Sequence, residues 1–165
     1  VPLTVCSDIT NMNWQAVDAS YRTVIISEAA STIIGSYLHE YLQKHGVLKL
    51  PWIKTQLTKV VQTVKDDSSP LLNIKITNDL LKQELTYMAS TAPDGSYYLT
   101  KKNDEFRNVI LGLFKVKSTI VRDEINRAVL EQLGCDITTT TYQRIMKELA
   151  KSVNGKWTWK DGNPQ

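Results

Sequence analysis

The sequence predicts a mainly α fold with small β wings (α+β), and three observations support this prediction. Apolar residues recur at helical spacing in several segments, each bounded by residues that start or stop helices. Two short strand-like runs follow an Asn-Gly or Asp-Gly pair, which is typical of hairpin turns. The same order of helices, short strand and hairpin occurs twice along the chain. This order predicts tandem winged-helix (helix-turn-helix) domains.

The first domain is predicted over residues 27–100. It begins with an apolar stripe over about residues 27–44, which His45-Gly46 is expected to stop. Residues 47–50 form a short apolar run that we interpret as a strand. Pro51 then suits the first turn of a second helix, because the N–H that proline lacks has no helical partner at that position.

A third helix and a hairpin are predicted to close the first domain. Residues 66–70 contain helix breakers, and Thr77 can cap the apolar stripe that follows them. Asp94-Gly95 precedes the apolar run at residues 97–99 and predicts a hairpin there. A helix at residues 47–50, or an unpaired segment at residues 97–99, would make the first domain wrong.

The second domain is predicted over residues 101–165. It starts with a helix from about Asp104 to Phe114, whose apolar residues recur every three or four positions. Ser118 or Thr119 is the expected cap of the next stripe, which Gly134 is expected to end.

A last helix and hairpin complete the second domain. The helix is expected to begin near Thr138 and carries its own apolar stripe. Asn154-Gly155 tolerates the positive φ that both central positions of a type I′ turn require. Alternation along the outgoing strand places Trp157 and Trp159 on one face and leaves a wet, basic face that includes Lys160.

Composition restricts the classes of function. The chain has 165 residues, 42% of them hydrophobic, and it lacks the run of about 18 apolar residues that a membrane helix requires. Residues 1–26 are expected to form a linker or docking segment. No Ser-His-Asp order, HExxH, P-loop or GxGxxG motif is present, so we expect no catalysis, no cofactor and no small-molecule ligand.

The two cysteines, Cys6 and Cys135, lie far apart and near no clustered histidine. A zinc site is therefore not expected, and reduced thiols suit the nucleus or cytoplasm. Cys135 lies in the bend between the last two helices, where we expect a small buried apolar side chain.

The second domain is the more basic of the two. Residues 101–165 hold 12 Lys and Arg against 8 Asp and Glu, a net charge of +4, whereas residues 1–100 carry −1. Cations on the last helix and hairpin are candidates for contact with nucleic-acid phosphates. The alternative is an ordinary solvated face. The candidates are Arg144, Lys147, Lys151, Lys156 and Lys160.

Tryptophans are candidates of a second kind, as anchors for a protein partner. Trp157 and Trp159 are expected to pack against the helices, with a partner-facing role as the alternative. Trp52 is expected in the core or between the domains. Trp14 is the one docking anchor in the segment before the first domain.

Three segments of the second domain together resemble a known family. They are Phe106-Arg-Asn-Val-Ile-Leu-Gly-Leu-Phe114, Ile120-Val-Arg-Asp-Glu-Ile-Asn-Arg127 and Val153-Asn-Gly-Lys-Trp-Thr-Trp-Lys-Asp-Gly162. In this order they resemble the C-terminal region of the Sin-like family of RNA polymerase III subunits, the fifth class-specific subunit. The resemblance covers the second domain and continues more weakly through Glu84-Leu-Thr-Tyr-Met-Ala89 and residues 97–99 of the first.

The resemblance implies a non-catalytic accessory module of a nuclear RNA polymerase, tethered by a flexible linker. Its implied partners are other RNA polymerase III subunits or associated promoter factors, with weak DNA contact in addition. Its implied role is to support complex assembly or stability and the transcription of small untranslated RNAs such as transfer RNA and 5S RNA. A winged helix that binds duplex DNA is the alternative, because this fold serves both kinds of partner.

Overall fold

The structure, a computed structural model, describes residues 24–165. Trp14, Cys6 and nearly all of the predicted linker or docking segment at residues 1–26 lie outside the described residues. Within them, six α-helices and two three-stranded antiparallel sheets confirm the mainly α, winged-helix-like fold. The elements are α1 (Glu28–His45), β1 (Val47–Leu48), α2 (Leu50–Gln62), α3 (Asn78–Leu85), β2 (Ala89–Thr91), β3 (Tyr97–Leu99), α4 (Glu105–Val116), β4 (Thr119–Ile120), α5 (Arg122–Leu133), α6 (Thr139–Leu149), β5 (Ala150–Val153) and β6 (Lys156–Trp159).

We call the elements α1 to β3 the first module and the elements α4 to β6 the second module. In the first module, the Ser27 side chain caps α1 by accepting from the Ala30 N–H, and Gly46 ends that helix with a φ of 81°. The Thr77 side chain caps α3 in the same way, as predicted. These caps satisfy N–H groups that have no partner within the helix.

The two sheets have the same design. In each, the outgoing strand of the hairpin lies in the middle, between the incoming hairpin strand and a short strand from earlier in the module. Val47 pairs with Tyr98 in the first sheet, and Ile120 pairs with Trp157 in the second. The strand predicted at residues 47–50 covers Val47–Leu48, Leu50 already belongs to α2, and residues 97–99 are paired as predicted.

The turn of the second hairpin also agrees with the prediction. Asn154 has a φ of 53° and Gly155 a φ of 77°, as a type I′ turn requires. In the first hairpin, Gly95 has a φ of 88°, and Asp94 is not in the left-handed region.

Two local predictions in the second module are wrong. Neither Ser118 nor Thr119 caps α5, because Thr119 belongs to β4 and pairs with Thr158 of β6. The helix begins three residues later, where the Glu124 carboxylate accepts from the Val121 N–H. Cys135 is exposed rather than buried, because the bend after α5 points its side chain to solvent.

The buried apolar side chains form two clusters, and one of them includes residues of both modules. One cluster of buried side chains lies within the first module. The other contains the buried side chains of the second module together with Val47, Ala92 and Tyr98 of the first. The sheet of the first module thus contributes to the core of the second, and this sets the position of the surfaces described next.

Candidate functional site

A buried arginine holds the junction between the modules. Arg107 on α4 is fully buried, and its Nη2 donates to the Leu99 carbonyl oxygen of β3 at 2.6 Å and to Glu148 Oε2 of α6 at 2.6 Å. Its Nε donates to the same carboxylate oxygen at 3.1 Å. A charge this deep requires such partners. Arg107 therefore joins the last strand of the first module to two helices of the second.

Two glycines let the backbones of the modules approach closely. A Cβ on Gly46 would fall on the Glu148 carbonyl oxygen near the end of α6. The Gly162 carbonyl oxygen accepts from the Lys49 N–H at 2.8 Å, and a Cβ on Gly162 would lie 2.9 Å from that nitrogen. Both glycines also have positive φ. These contacts fix how the modules sit against each other.

The three described candidate tryptophans are half-buried, and each donates its indole N–H within the chain. The acceptors are the Pro164 carbonyl oxygen for Trp52, the Ser96 hydroxyl for Trp159 and the Tyr142 hydroxyl for Trp157. The ring of Trp159 also contacts Tyr98 edge-on at 5.6 Å. Trp52 and Trp159 therefore link the modules, and Trp157 fixes the second hairpin to α6. Their use as partner anchors stays a prediction.

Four of the five predicted cations, Arg144, Lys147, Lys151 and Lys156, are exposed. The guanidinium of Arg144 pairs with Asp104 at 3.3 Å and keeps half of its side chain in solvent. Pairs this exposed contribute little to stability, so Arg144 can be redirected to another anion.

Lys160 does not lie on a wet hairpin face, so that prediction is wrong. Its Nζ donates to the His45 carbonyl oxygen at the C-terminal end of α1, at 2.8 Å. The strand β6 ends at Trp159, and the chain then crosses the first module. Carbonyl groups at a helix C-terminus attract cations, which explains this position.

Lys44 and Lys101 join the predicted cations, although the sequence pattern did not point to them. Both line a cleft of about 450 Å³ at the junction, which we call the basic cleft. Lys44 is in the last turn of α1, and Lys101 is in the link between the modules. No local signal marks them, because they meet the second module only through the tertiary fold. The charged residues that line the basic cleft are Lys44, Lys101, Arg144, Lys147, Glu148 and Lys160.

Burial, with a smaller effect of neighbouring positive charge, lowers the pKa of two groups in the basic cleft. Burial lowers the pKa of Lys160, Lys147 lowers it further, and Glu148 opposes both effects. Burial also lowers the pKa of His45, with added repulsion from Lys44 and Lys160. An anion in the cleft would relieve this repulsion.

A second cavity, which we call the apolar groove, lies on the junction and has a volume of about 440 Å³. The first module contributes Ala92 and Pro93 to it, and the second contributes Leu111, Phe114 and Trp159. At its edge, Val116 ends α4 with 83% of its surface exposed. Neither module forms this groove alone.

The charged edge of the apolar groove is mainly basic. Lys49, Lys115, Lys117 and Lys160 line it together with Asp94 and Asp161. Asp94 accepts from Ser96 and Asp161 from the Asn163 N–H, so both carboxylates are already hydrogen-bonded. Among the described residues, Lys49 and Lys115 have no ion-pair partner.

Residues 24–165 offer neither a metal site nor a membrane helix. In this range no three His, Cys, Asp or Glu side chains come together as ligands for a metal ion. None of the helices in this range combines the length and apolarity needed to cross a bilayer.

The chain has no match among protein-family models, and its sequence matches no curated protein.

Proposed function

We propose that the chain is a non-catalytic interaction module of DNA-directed RNA polymerase III in the nucleus. It supports assembly or stability of the complex and, through it, transcription of small untranslated RNAs such as transfer RNA and 5S RNA. The ordered resemblance of the second domain to the Sin-like family supports the polymerase. The fixed junction supports a scaffolding role, because two winged helices held rigidly can present one combined surface.

The apolar groove is the observation that carries this proposal. Apolar side chains form its walls, and the exposed Val116 extends the apolar surface at its edge. Exposed apolar surface surrounded by polar residues is typical of a protein contact site. The lysines at the edge favour an acidic partner, so we place there a segment of a polymerase subunit with one large apolar side chain flanked by carboxylates.

Co-purification from cells tests the proposal. An epitope-tagged chain carrying Lys115→Glu and Val116→Asp should recover the largest RNA polymerase III subunit about tenfold less well than the unchanged chain, since both changes oppose an acidic, apolar segment. The matched control is Arg127→Glu with Leu130→Asp on α5, which makes the same change in charge and apolarity at two exposed positions.

Each outcome of this experiment has its own meaning. Failure of the unchanged chain to recover the polymerase subunit would overturn the polymerase assignment. If both double variants reduce recovery equally, or if neither reduces it, the polymerase assignment would stand. The apolar groove would then be overturned as the contact site.

A second candidate function, contact with duplex DNA phosphates, is favoured by the four exposed cations of α6 and the second hairpin. Three of them, Arg144, Lys147 and Lys151, recur at spacings of three and four residues. Titration of a DNA duplex at ~50 mM and ~200 mM salt tests it, because phosphate contacts weaken steeply with ionic strength. Tight binding that is lost in Arg144→Glu/Lys147→Glu/Lys151→Glu would support DNA contact, and no binding at ~50 mM would exclude it.

A further inference from the structure

The basic cleft concentrates positive charge from both modules. Five cationic side chains and a single carboxylate line it. That carboxylate, Glu148, already accepts two hydrogen bonds from Arg107 Nε and one from Arg107 Nη2, and it pairs with Lys101 at 3.4 Å. It therefore has little capacity left to neutralise the remaining cations. An anion in the cleft would therefore meet cations that its single carboxylate does not neutralise.

The lining of the cleft favours phosphate over an acidic peptide. Apart from Leu99 and Gly46, the residues that line it are polar or charged. A bound peptide requires apolar pockets for its side chains, which the apolar groove has and the basic cleft lacks. A phosphate backbone requires cations and hydrogen-bond donors alone.

The fold also fixes the backbone that carries two of these cations. The Gly46 contact with Glu148 fixes the end of α1, and thus Lys44, beside α6. The hydrogen bond from Arg107 to Leu99 fixes the start of the link that carries Lys101. Cations positioned before a ligand arrives lose less freedom when they bind it.

We infer that the basic cleft binds the phosphate backbone of duplex DNA with cations from both modules, Lys44 and Lys101 joining Arg144 and Lys147. This inference rests on the second candidate function and gives it a site that needs the whole tandem. Gln43 is the single amide side chain in the lining, so there is no array suited to reading base edges. Binding should therefore tolerate any duplex sequence.

The decisive variant changes the first module and the link, and leaves α6 intact. Lys44→Gln/Lys101→Gln should weaken duplex binding at least about tenfold at ~50 mM salt. It should also reduce the slope of log affinity against log salt by about 2, close to one for each phosphate that the variant no longer neutralises. The matched control is Lys75→Gln/Lys82→Gln, which removes the same charge at exposed positions outside the cleft.

Thermal unfolding of each variant shows whether it is folded. Lys44→Gln alone is a second test, because Lys44 makes no ion pair among the described residues and its removal should not affect folding. This single change should reduce the slope by about 1.

The outcomes separate the site from the function. Suppose that neither cleft variant changes the salt slope but Arg144→Glu/Lys147→Glu/Lys151→Glu still abolishes binding. DNA contact would then stand, and the basic cleft would be overturned as its site. No binding by the unchanged chain at ~50 mM salt would overturn both. Displacement of the duplex by polyglutamate at equal charge concentration would also overturn the inference and identify the cleft as a site for acidic protein.

Discussion

The two hairpins have the same design but different surroundings. Ser96 of the first hairpin is fully buried, and its hydroxyl accepts from Trp159 of the second module. Residues 151–156 of the second hairpin are exposed, including both residues of its turn. The first hairpin is therefore part of the junction through Ser96, although its turn at residues 93–95 is exposed, whereas the second hairpin is exposed over a longer stretch.

This difference shows that the same local pattern can serve packing or recognition. Asn-Gly and Asp-Gly pairs predict where a hairpin turns, and they carry no information about what lies against it. Placement is decided by contacts distant in sequence, such as those of Gly46 and Arg107 with Glu148. Substitutions at the junction should therefore have larger effects than matched substitutions elsewhere in the second module.

Gly46→Ala should have the largest effect. The new Cβ would clash with the Glu148 carbonyl oxygen and also require a positive φ. Gly155→Ala in the second hairpin requires a positive φ too, with nothing within 4 Å of its Cβ. We expect about 1–2 kcal/mol of destabilisation for Gly155→Ala and about 3 kcal/mol more for Gly46→Ala, measured by chemical denaturation. Equal destabilisation would mean that the junction can relax around an added methyl group.

Arg107→Met should come next in size. It removes the Arg107 hydrogen bond to the Leu99 carbonyl oxygen and leaves the Glu148 carboxylate with Lys101 alone, and breaking a buried pair in this way costs about 3–5 kcal/mol. Arg144→Met, which breaks the exposed pair with Asp104, should cost at most about 1 kcal/mol. The same denaturation experiment compares them, and similar destabilisation would contradict the assignment of Arg107 to the junction.

Ser96→Ala tests the first hairpin directly. The change removes the acceptor of the Trp159 indole N–H, and an unsatisfied donor costs about 1–3 kcal/mol. Ser152→Ala at an exposed position of the second hairpin should fall within about 0.5 kcal/mol of the unchanged chain. A red shift of tryptophan fluorescence confined to Ser96→Ala would confirm that Trp159 has become more exposed to water.

The smallest effect should be a pH dependence from His45. Because its pKa is lowered in the folded chain from the usual 6.5, the unfolded chain takes up the proton first. Stability is then fully present above pH 6.5 and is lost as pH falls toward the folded pKa. Lys44, Lys160 and the ring of Trp52 surround this histidine.

Comparison with His45→Gln isolates this effect. Removal of the imidazole ring from beside Trp52 should lower the melting temperature of His45→Gln at every pH, whereas only the unchanged chain should become less stable between pH 7.5 and 5.5 through this histidine. A constant difference between the two chains over this range would show that His45 does not contribute.

Much of the fold was predictable because its signals are local. Thr77 and Thr138 cap helices where the sequence places a hydroxyl before an apolar stripe, and Asn154-Gly155 forms the expected turn. The predicted cap of α5 is wrong because Thr119 pairs with Thr158 in the sheet instead. A side chain that can cap a helix can equally pair in a strand, and local sequence does not decide between them.

The candidate site was less predictable, since its members come from distant positions. An arginine such as Arg107 between Phe106 and Asn108 is expected on the surface, yet it is fully buried. Net charge favours the second domain and gives no reason to single out Lys44 of the first. Lys160 is half-buried where the chain crosses the end of α1, against its predicted exposure. These positions follow from the junction, which the sequence pattern does not encode.

The hydrogen bond from Trp52 to the Pro164 carbonyl oxygen joins residues 112 positions apart. This separation matters during synthesis on the ribosome. N-terminal segments generally fold first as they leave the ribosome. The first module would emerge with Ala92 and Tyr98 uncovered and with the Lys49 N–H still without its acceptor. Until residues 157–164 follow, a chaperone can bind this open face. Slowing translation over the second module should therefore lengthen chaperone occupancy of the first.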